Sequence, residues 1–301
     1  MKIGIPEYEL TYLGEPVSEE MREVTKDNPQ LDFSIWILDI ISFNIEKGFS
    51  TTVVDISEFE FISEIFNNHI VGDDIIKCRA LLIPLKEKIK VNNHRVFFYV
   101  PKDYFLGSMQ EKIVTSTCCG LDNLDIIMDW IYPEGGIIVR VGSAYGNRKE
   151  TMIRFASNFK SLLNERVRNK IMVVNDDRPS LFSVKDLLTE LSLTYKIPIV
   201  FRTIGHYFNP GSLTHGDALA LSISTWSKKR LPLVIHAEPI NFNQNGIPES
   251  RTISNHLNKR IPTFNKNICV AIESNYKELS CYRYINEYKS LKPVIIDRVK
   301  S

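Results

Sequence analysis

The sequence predicts an α/β protein built as a single (β/α)8 (TIM) barrel over residues 1–301, on three observations. Eight short β-branched or apolar runs alternate with stretches of helical period, with no linker and no internal repeat between them. The runs are nearly continuous in apolar residues, as parallel strands buried on both faces must be. A chain of 301 residues, 44% hydrophobic and 24% charged, is long enough to bury such a core.

Residues 3–5 open the first strand, stopped by Pro6. The polar stretch 7–29, with Gly14, Pro16 and Pro29, reads as an excursion over one barrel face. Apolar residues at 33, 36, 37, 40, 41 and 45 recur at helical period over 31–47, and Gly48 stops that helix. The β-branched run 51–56 is the second strand. Helical patterns over 61–66 and 75–85 lead to the third, 95–100, and one or two helices over 104–131 to the fourth, 136–142. An amphipathic helix follows Gly146 to about Leu163, and the fifth strand is 170–174. Ser183 caps a helix over 184–195. The sixth strand, 197–201, runs into Arg202 and His206 and then an Asn209-Pro210-Gly211 turn, with a helix from Thr214 to Trp226. The seventh and eighth strands are 231–236 and 267–273, separated by a polar insertion at 241–262, and 276–288 closes the chain as a helix.

Composition bounds the setting. The net charge of +1 leaves room for a local basic groove, no apolar run approaches the ~20 residues that span a bilayer, and residues 1–5 show no signal-peptide pattern. A cytoplasmic protein without a membrane partner is expected. The five cysteines (Cys78, Cys118, Cys119, Cys269, Cys281) show no CxxC or zinc spacing and are expected as reduced thiols in or near the core.

In parallel α/β folds chemistry gathers where the chain leaves the carboxyl ends of the strands. That rim holds Ser57 or Glu58, Asp103 and Tyr104, Arg140, residues 175–178, Arg202 with His206, His236 with Glu238, and Glu273. Asn175-Asp176-Asp177-Arg178 can hold a divalent metal or work as acid and base, or simply cap a turn. The Gly142-Ser143-Ala144-Tyr145-Gly146 loop can offer N–H groups to a phosphate, or be a tight strand-to-helix turn; it lacks P-loop and dinucleotide spacing. Arg140 and Arg202 must meet acids such as Glu273 and Asp176, or an anion from outside. His206 and His236 can be bases or ligands, or ordinary hydrogen-bonding groups, since no HExxH or HxH is present.

Taken together the loops resemble the UV damage endonucleases, metal-dependent barrel nucleases of the AP-endonuclease and xylose-isomerase kind that nick DNA beside ultraviolet photoproducts. The resemblance runs through Ile3-Gly4-Ile5-Pro6, Ile41-Ser42-Phe43-Asn44, Gly48-Phe49, residues 142–146 and 175–178, Asn209-Pro210-Gly211, Thr225-Trp226 and Glu238-Pro239. It implies a cluster of divalent cations held by His, Glu, Asp and a modified Lys. Those positions fall here on Val100, Arg140, Val174, Arg202, Gly205, Leu233 and Ile235, with Glu64 loosely at another; Glu273 is kept, and a one-residue shift brings His236 into place. Hydrocarbon side chains cannot ligate, and two arginines repel cations. The expectation is therefore no metal, or Mn or Mg at Glu273, Asp176 and His236 where a site survives. The pair that implies lesion probing in the family falls on Asp103 and Tyr104, so stacking on Tyr104 can persist while amide readout at 103 cannot.

Three readings follow. One is a UV-damage-endonuclease-like protein that binds DNA, damaged or distorted, through Arg140, Arg202, Tyr104, Asp103, Tyr145, Asn175, Arg178 and His206, acting in repair or damage recognition without nicking. Another is an active nuclease with a reduced metal site using Glu273, Asp176, His236 and Glu238. The third is a non-enzymatic barrel that docks protein partners through 241–262.

Overall fold

The structure, a computed structural model, describes residues 4–5, 8–18, 27–132, 134–228, 230–244 and 248–293. Its eight parallel strands are β1 Tyr8–Tyr12, β2 Thr51–Asp55, β3 Arg95–Tyr99, β4 Gly136–Val139, β5 Ile171–Val174, β6 Ile199–Arg202, β7 Leu233–His236 and β8 Cys269–Ile272. Helical segments follow seven of the eight strands, the (β/α)8 pattern the sequence predicts, while among the described residues the segment between β7 and β8 holds no helix and is occupied by the polar insertion.

Seven strands lie where the apolar runs put them; the first does not. Gly4–Ile5 is a two-residue antiparallel edge against Tyr8–Tyr12, which is the true parallel β1 and lies inside the stretch expected to wander over a face. The signal was there in the aromatic and β-branched residues of Tyr-Glu-Leu-Thr-Tyr, but the nearby Gly14 and Pro16 masked it. Ile3, Pro6, Glu7 and residues 19–26 of that reading lie outside the described residues.

The chain divides into two compact units. The first comprises residues 14–145 and 149–171. In it β2 pairs with β3 (Thr51 beside Arg95) and β3 with β4 (Phe97 beside Gly136), all parallel. Helix Pro29–Glu46 is capped by the Asn28 side chain, which accepts from the Leu31 N–H, and its Phe33, Ile37, Ile40 and Ile41 are buried. Gly48 follows at φ 86°, a left-handed turn that glycine adopts without strain. The helix expected from Tyr104 starts only at Glu111 and runs to Ile131. Buried Lys170 meets the equally buried Asp125 at 2.5 Å.

The second unit comprises the described residues of 4–13, 146–148 and 172–293. Its strands run parallel in the order β5, β6, β7, β8, β1, with Val173 beside Ile199, Phe201 beside Val234, Leu233 beside Cys269 and Cys269 beside Glu9. Ser183 and Asp186 form a reciprocal capping box that starts helix Val184–Leu187, and a π turn at Leu188–Ser192 carries it on to Leu193–Tyr195. The insertion is ordered where it is described. Bridges Pro239–Ile253 and Phe242–Pro248 fold it back on itself, buried Leu257 and Ile261 anchor its far end, and Lys259–Arg260 pairs with Lys292–Pro293. All five cysteines are free thiols, and four are buried. No helix among the described residues is long and apolar enough to cross a membrane.

Candidate functional site

Arg202 ends β6, and its backbone is bracketed by a side chain from the end of β5. Asn175 Oδ1 accepts from the Arg202 N–H at 2.7 Å, and Asn175 Nδ2 donates to the Arg202 carbonyl at 3.0 Å. The amide of Asn175 is thus engaged in holding Arg202 rather than facing a ligand. The guanidinium then reaches Glu273, one residue past β8, through both carboxylate oxygens: Nε to Oε2 at 2.7 Å and Nη2 to Oε1 at 2.5 Å. The Arg202 side chain is 10% exposed and that of Glu273 17%, so this forked pair is largely out of water.

Beside it stand His236 and Glu238. Glu238, 1% exposed, accepts from the backbone N–H groups of Asn258 (3.0 and 3.1 Å) and Lys259 (2.7 Å), so the insertion wraps its carboxylate. Burial pushes its pKa up, and those donors pull it back. His236 is fully buried; Nε2 donates to the Lys259 carbonyl at 2.8 Å, and Thr203 Oγ1 lies 3.3 Å from Nδ1. Burial lowers its pKa to about 4, so its 3.7 Å approach to Glu238 is not an ion pair near neutrality.

His206 lies in the short helix Thr203–Phe208, 3% exposed, with a pKa lowered to about 4 by burial. Its ring meets that of His215 edge-on, 5.0 Å between centroids and 87° between planes. His215, whose pKa is lowered well below the usual value by burial and by His206, His236 and Lys259, was not picked out by sequence reasoning. It sits at a helix start, thirteen residues past the end of β6 at Arg202, and only the return of that helix brings it back. Arg251 of the insertion reaches the carboxylate of Asp177 at 3.7 Å and lies over the Phe208 ring, while Lys259 lies 4.5 Å from the Phe242 ring centroid and 5.3 Å from that of Tyr207. Asp176 Oδ1 accepts from the Arg178 N–H at 3.1 Å, an Asx turn of the kind the sequence allows. The Arg178 side chain is exposed.

The remaining candidates belong to the first unit. Arg140 follows β4 and donates to the Tyr99 hydroxyl at 2.5 Å, with its guanidinium over the Tyr99 ring. Asp103 is exposed; Tyr104 is half-buried with its ring 4.0 Å from that of Phe66. Tyr145 is 39% exposed, and its hydroxyl lies 3.1 Å from Ser108 Oγ. Glu64 is exposed and accepts from Asn68.

A divalent-cation cluster does not fit these residues. Val100, Val174, Leu233 and Ile235 are buried hydrocarbon at 2% exposure or less. A Cβ at Gly205 would lie 2.6 Å from Asn175 Nδ2 and 2.9 Å from the Asn175 carbonyl oxygen, so no ligand side chain can stand there without displacing the bracket on Arg202. Glu273 faces a guanidinium, Glu238 faces amides, and no three His, Cys, Asp or Glu side chains gather as ligands among the described residues. Gly205→Ala is expected to lower stability by about 1–3 kcal/mol, read as a shifted urea midpoint, because it overpacks this bracket.

The UV-endonuclease UvdE family model matches residues 78–300. A UV DNA damage endonuclease of Bacillus cereus (strain Q1) is 25% identical over 215 residues, 68% of this chain. The match spans 66% of that relative's length, just under two thirds. A UV-damage-endonuclease-like protein of Acanthamoeba polyphaga mimivirus is 24% identical over 279 residues, 87% of this chain and 80% of its own. Among solved structures, SacUVDE superposes with a TM-score of 0.76 at 20% identity, covering 94% of this chain and 98% of that one. A xylose isomerase domain protein of Salmonella typhimurium gives 0.50 at 11% identity, over 95% of this chain and 98% of that one. Both likenesses support the (β/α)8 fold, and the match over 78–300 goes further: the chain belongs to the UV-endonuclease UvdE family.

Proposed function

We propose that this protein binds DNA, damaged or distorted, in repair or damage recognition, and does so without the metal-dependent nicking that the family resemblance implies. The observation that carries this reading is the forked Arg202–Glu273 pair. Where a cation cluster would neutralise the acidic strand end, a guanidinium does it instead. Both oxygens of Glu273 are turned to that one partner, which favours charge replacement over a free arginine waiting for phosphate. Phosphate contacts fall to more accessible cations such as Arg178, Arg251 and Arg140, with Tyr104 as a stacking face beside Asp103.

Fluorescence anisotropy with irradiated and untreated duplexes over a salt series tests the binding. We expect affinity that falls steeply as salt rises, since released counterions drive such association. A nicking assay on irradiated plasmid with manganese tests the rest, and no nicking is expected. No binding at low salt defeats the proposal. Nicking that Glu273→Ala abolishes would replace it with an active nuclease of reduced metal site.

A further inference from the structure

The Gly142–Gly146 turn holds an aromatic side chain in a conformation that aromatic residues avoid. Tyr145 has φ 47°, flanked by Gly142 at φ 110° and Gly146 at φ 77°. The glycines tolerate their positions; a residue with a Cβ and a bulky ring does not, and the strain persists only where neighbours enforce it. Those neighbours are present. Thr151 Oγ1 lies 3.0 Å from the Ala144 carbonyl and 3.3 Å from that of Ser143, tying the loop to helix Arg148–Leu162. The Tyr145 hydroxyl meets Ser108 Oγ at 3.1 Å. The Arg154 guanidinium lies 5.7 Å from the Tyr145 ring centroid and is itself fixed by Gly107 O at 3.2 Å and Thr151 Oγ1 at 2.8 Å. Phe105 stands 6.5 Å from the same ring and underlies Gly142 so closely that a Cβ there would fall 1.9 Å from it.

The result is a ring both immobilised and 39% exposed. Phe264 makes the contrast: it too is exposed (38%) with a left-handed backbone (φ 51°), yet it sits in a turn and no ring contact holds it among the described residues. A core does not need Tyr145 held this way, because much of the ring is in water. A flat ligand does, because a fixed ring loses little freedom on stacking.

We propose that Tyr145 is a stacking platform for an unstacked nucleobase, a contact distinct from phosphate binding and one that rests on the DNA-binding reading above. The ring offers its π-face, tolerant of base identity, and Arg154 adds positive charge at the ring without leaving its own hydrogen bonds. Ser108 fixes the phenol, so the ring's tilt is set before DNA arrives.

The experiment uses the full chain and a duplex carrying 2-aminopurine beside a thymine dimer, reading anisotropy and 2-aminopurine emission together. Three proteins are compared: wild type, Tyr145→Phe, and Tyr145→Gly, which removes the ring and accepts the left-handed backbone without strain. For wild type we expect binding with a rise in emission. Tyr145→Phe keeps most of that rise. Tyr145→Gly loses it, with about tenfold weaker affinity and an unchanged salt slope, as expected for one lost stacking contact. If Tyr145→Gly binds and brightens like wild type, the platform is refuted while the DNA-binding reading stands. A lower salt slope in Tyr145→Gly makes the residue a phosphate positioner and also refutes it. No anisotropy change with any protein removes both readings at once.

Discussion

Acidification from pH 7 to pH 4 is expected to destabilise this protein sharply, before most of its surface carboxylates are protonated. His206 and His236 are buried neutral, their pKa values lowered from 6.5 to about 4, and His215 is shifted in the same direction. The unfolded chain therefore binds more protons than the folded one between those limits. Stability from these groups is fully present above pH 6.5 and is lost as pH falls toward 4. At about 1.4 kcal/mol per pH unit each, His206 and His236 account for roughly 3 kcal/mol apiece, a large share of the about 5–15 kcal/mol that a domain has to lose. Lys259 pushes the His215 and His236 values further down, while Glu238, whose pKa is raised, works the other way and softens the acid limb. Urea midpoints measured from pH 8 to pH 4 would show the slope, and His236→Asn should flatten it because a neutral amide has no proton to gain. A midpoint constant between pH 6.5 and 4.5 rules the account out.

Those histidines also mark where sequence reasoning stops. The strand ends were legible, because apolar runs in parallel sheets announce themselves and Arg202, His236 and Glu273 each terminate one or stand just past it. What a strand end meets was not. Asn175 looks in sequence like a turn residue of an Asn-Asp-Asp run; in space its amide brackets the Arg202 backbone across neighbouring strands. Glu238 looks like a free acid and is wrapped by N–H groups twenty residues on, from an insertion that reads only as polar. Periodicity reports which face is buried. It carries no information on which polar groups are paired across the sheet, and pairing is what separates a catalytic carboxylate from a structural one. The same limit explains β1, whose alternation was too short to outweigh the glycine and proline beside it.

The second large effect is expected at the Arg202–Glu273 pair, where two single substitutions and their combination separate structure from recognition. Arg202→Met leaves the Glu273 carboxylate, 17% exposed, facing hydrocarbon where it met a guanidinium. Breaking one side of a buried pair in this way costs about 3–5 kcal/mol, most of it the desolvated charge left behind. Glu273→Leu strands the guanidinium, and Arg202 at 10% side-chain exposure has little water to turn to. The double variant removes both charges and is expected to regain most of the loss, because two apolar side chains fill the space without a desolvation penalty. Chemical denaturation of the four proteins gives the coupling directly. If the guanidinium stands in for cations, the double variant binds DNA with the wild-type salt slope, since neither partner was reaching for phosphate. If Arg202 instead holds a phosphate and Glu273 only parks it, the slope drops in Arg202→Met and in the double variant alike, and the charge-replacement account fails on that measurement alone.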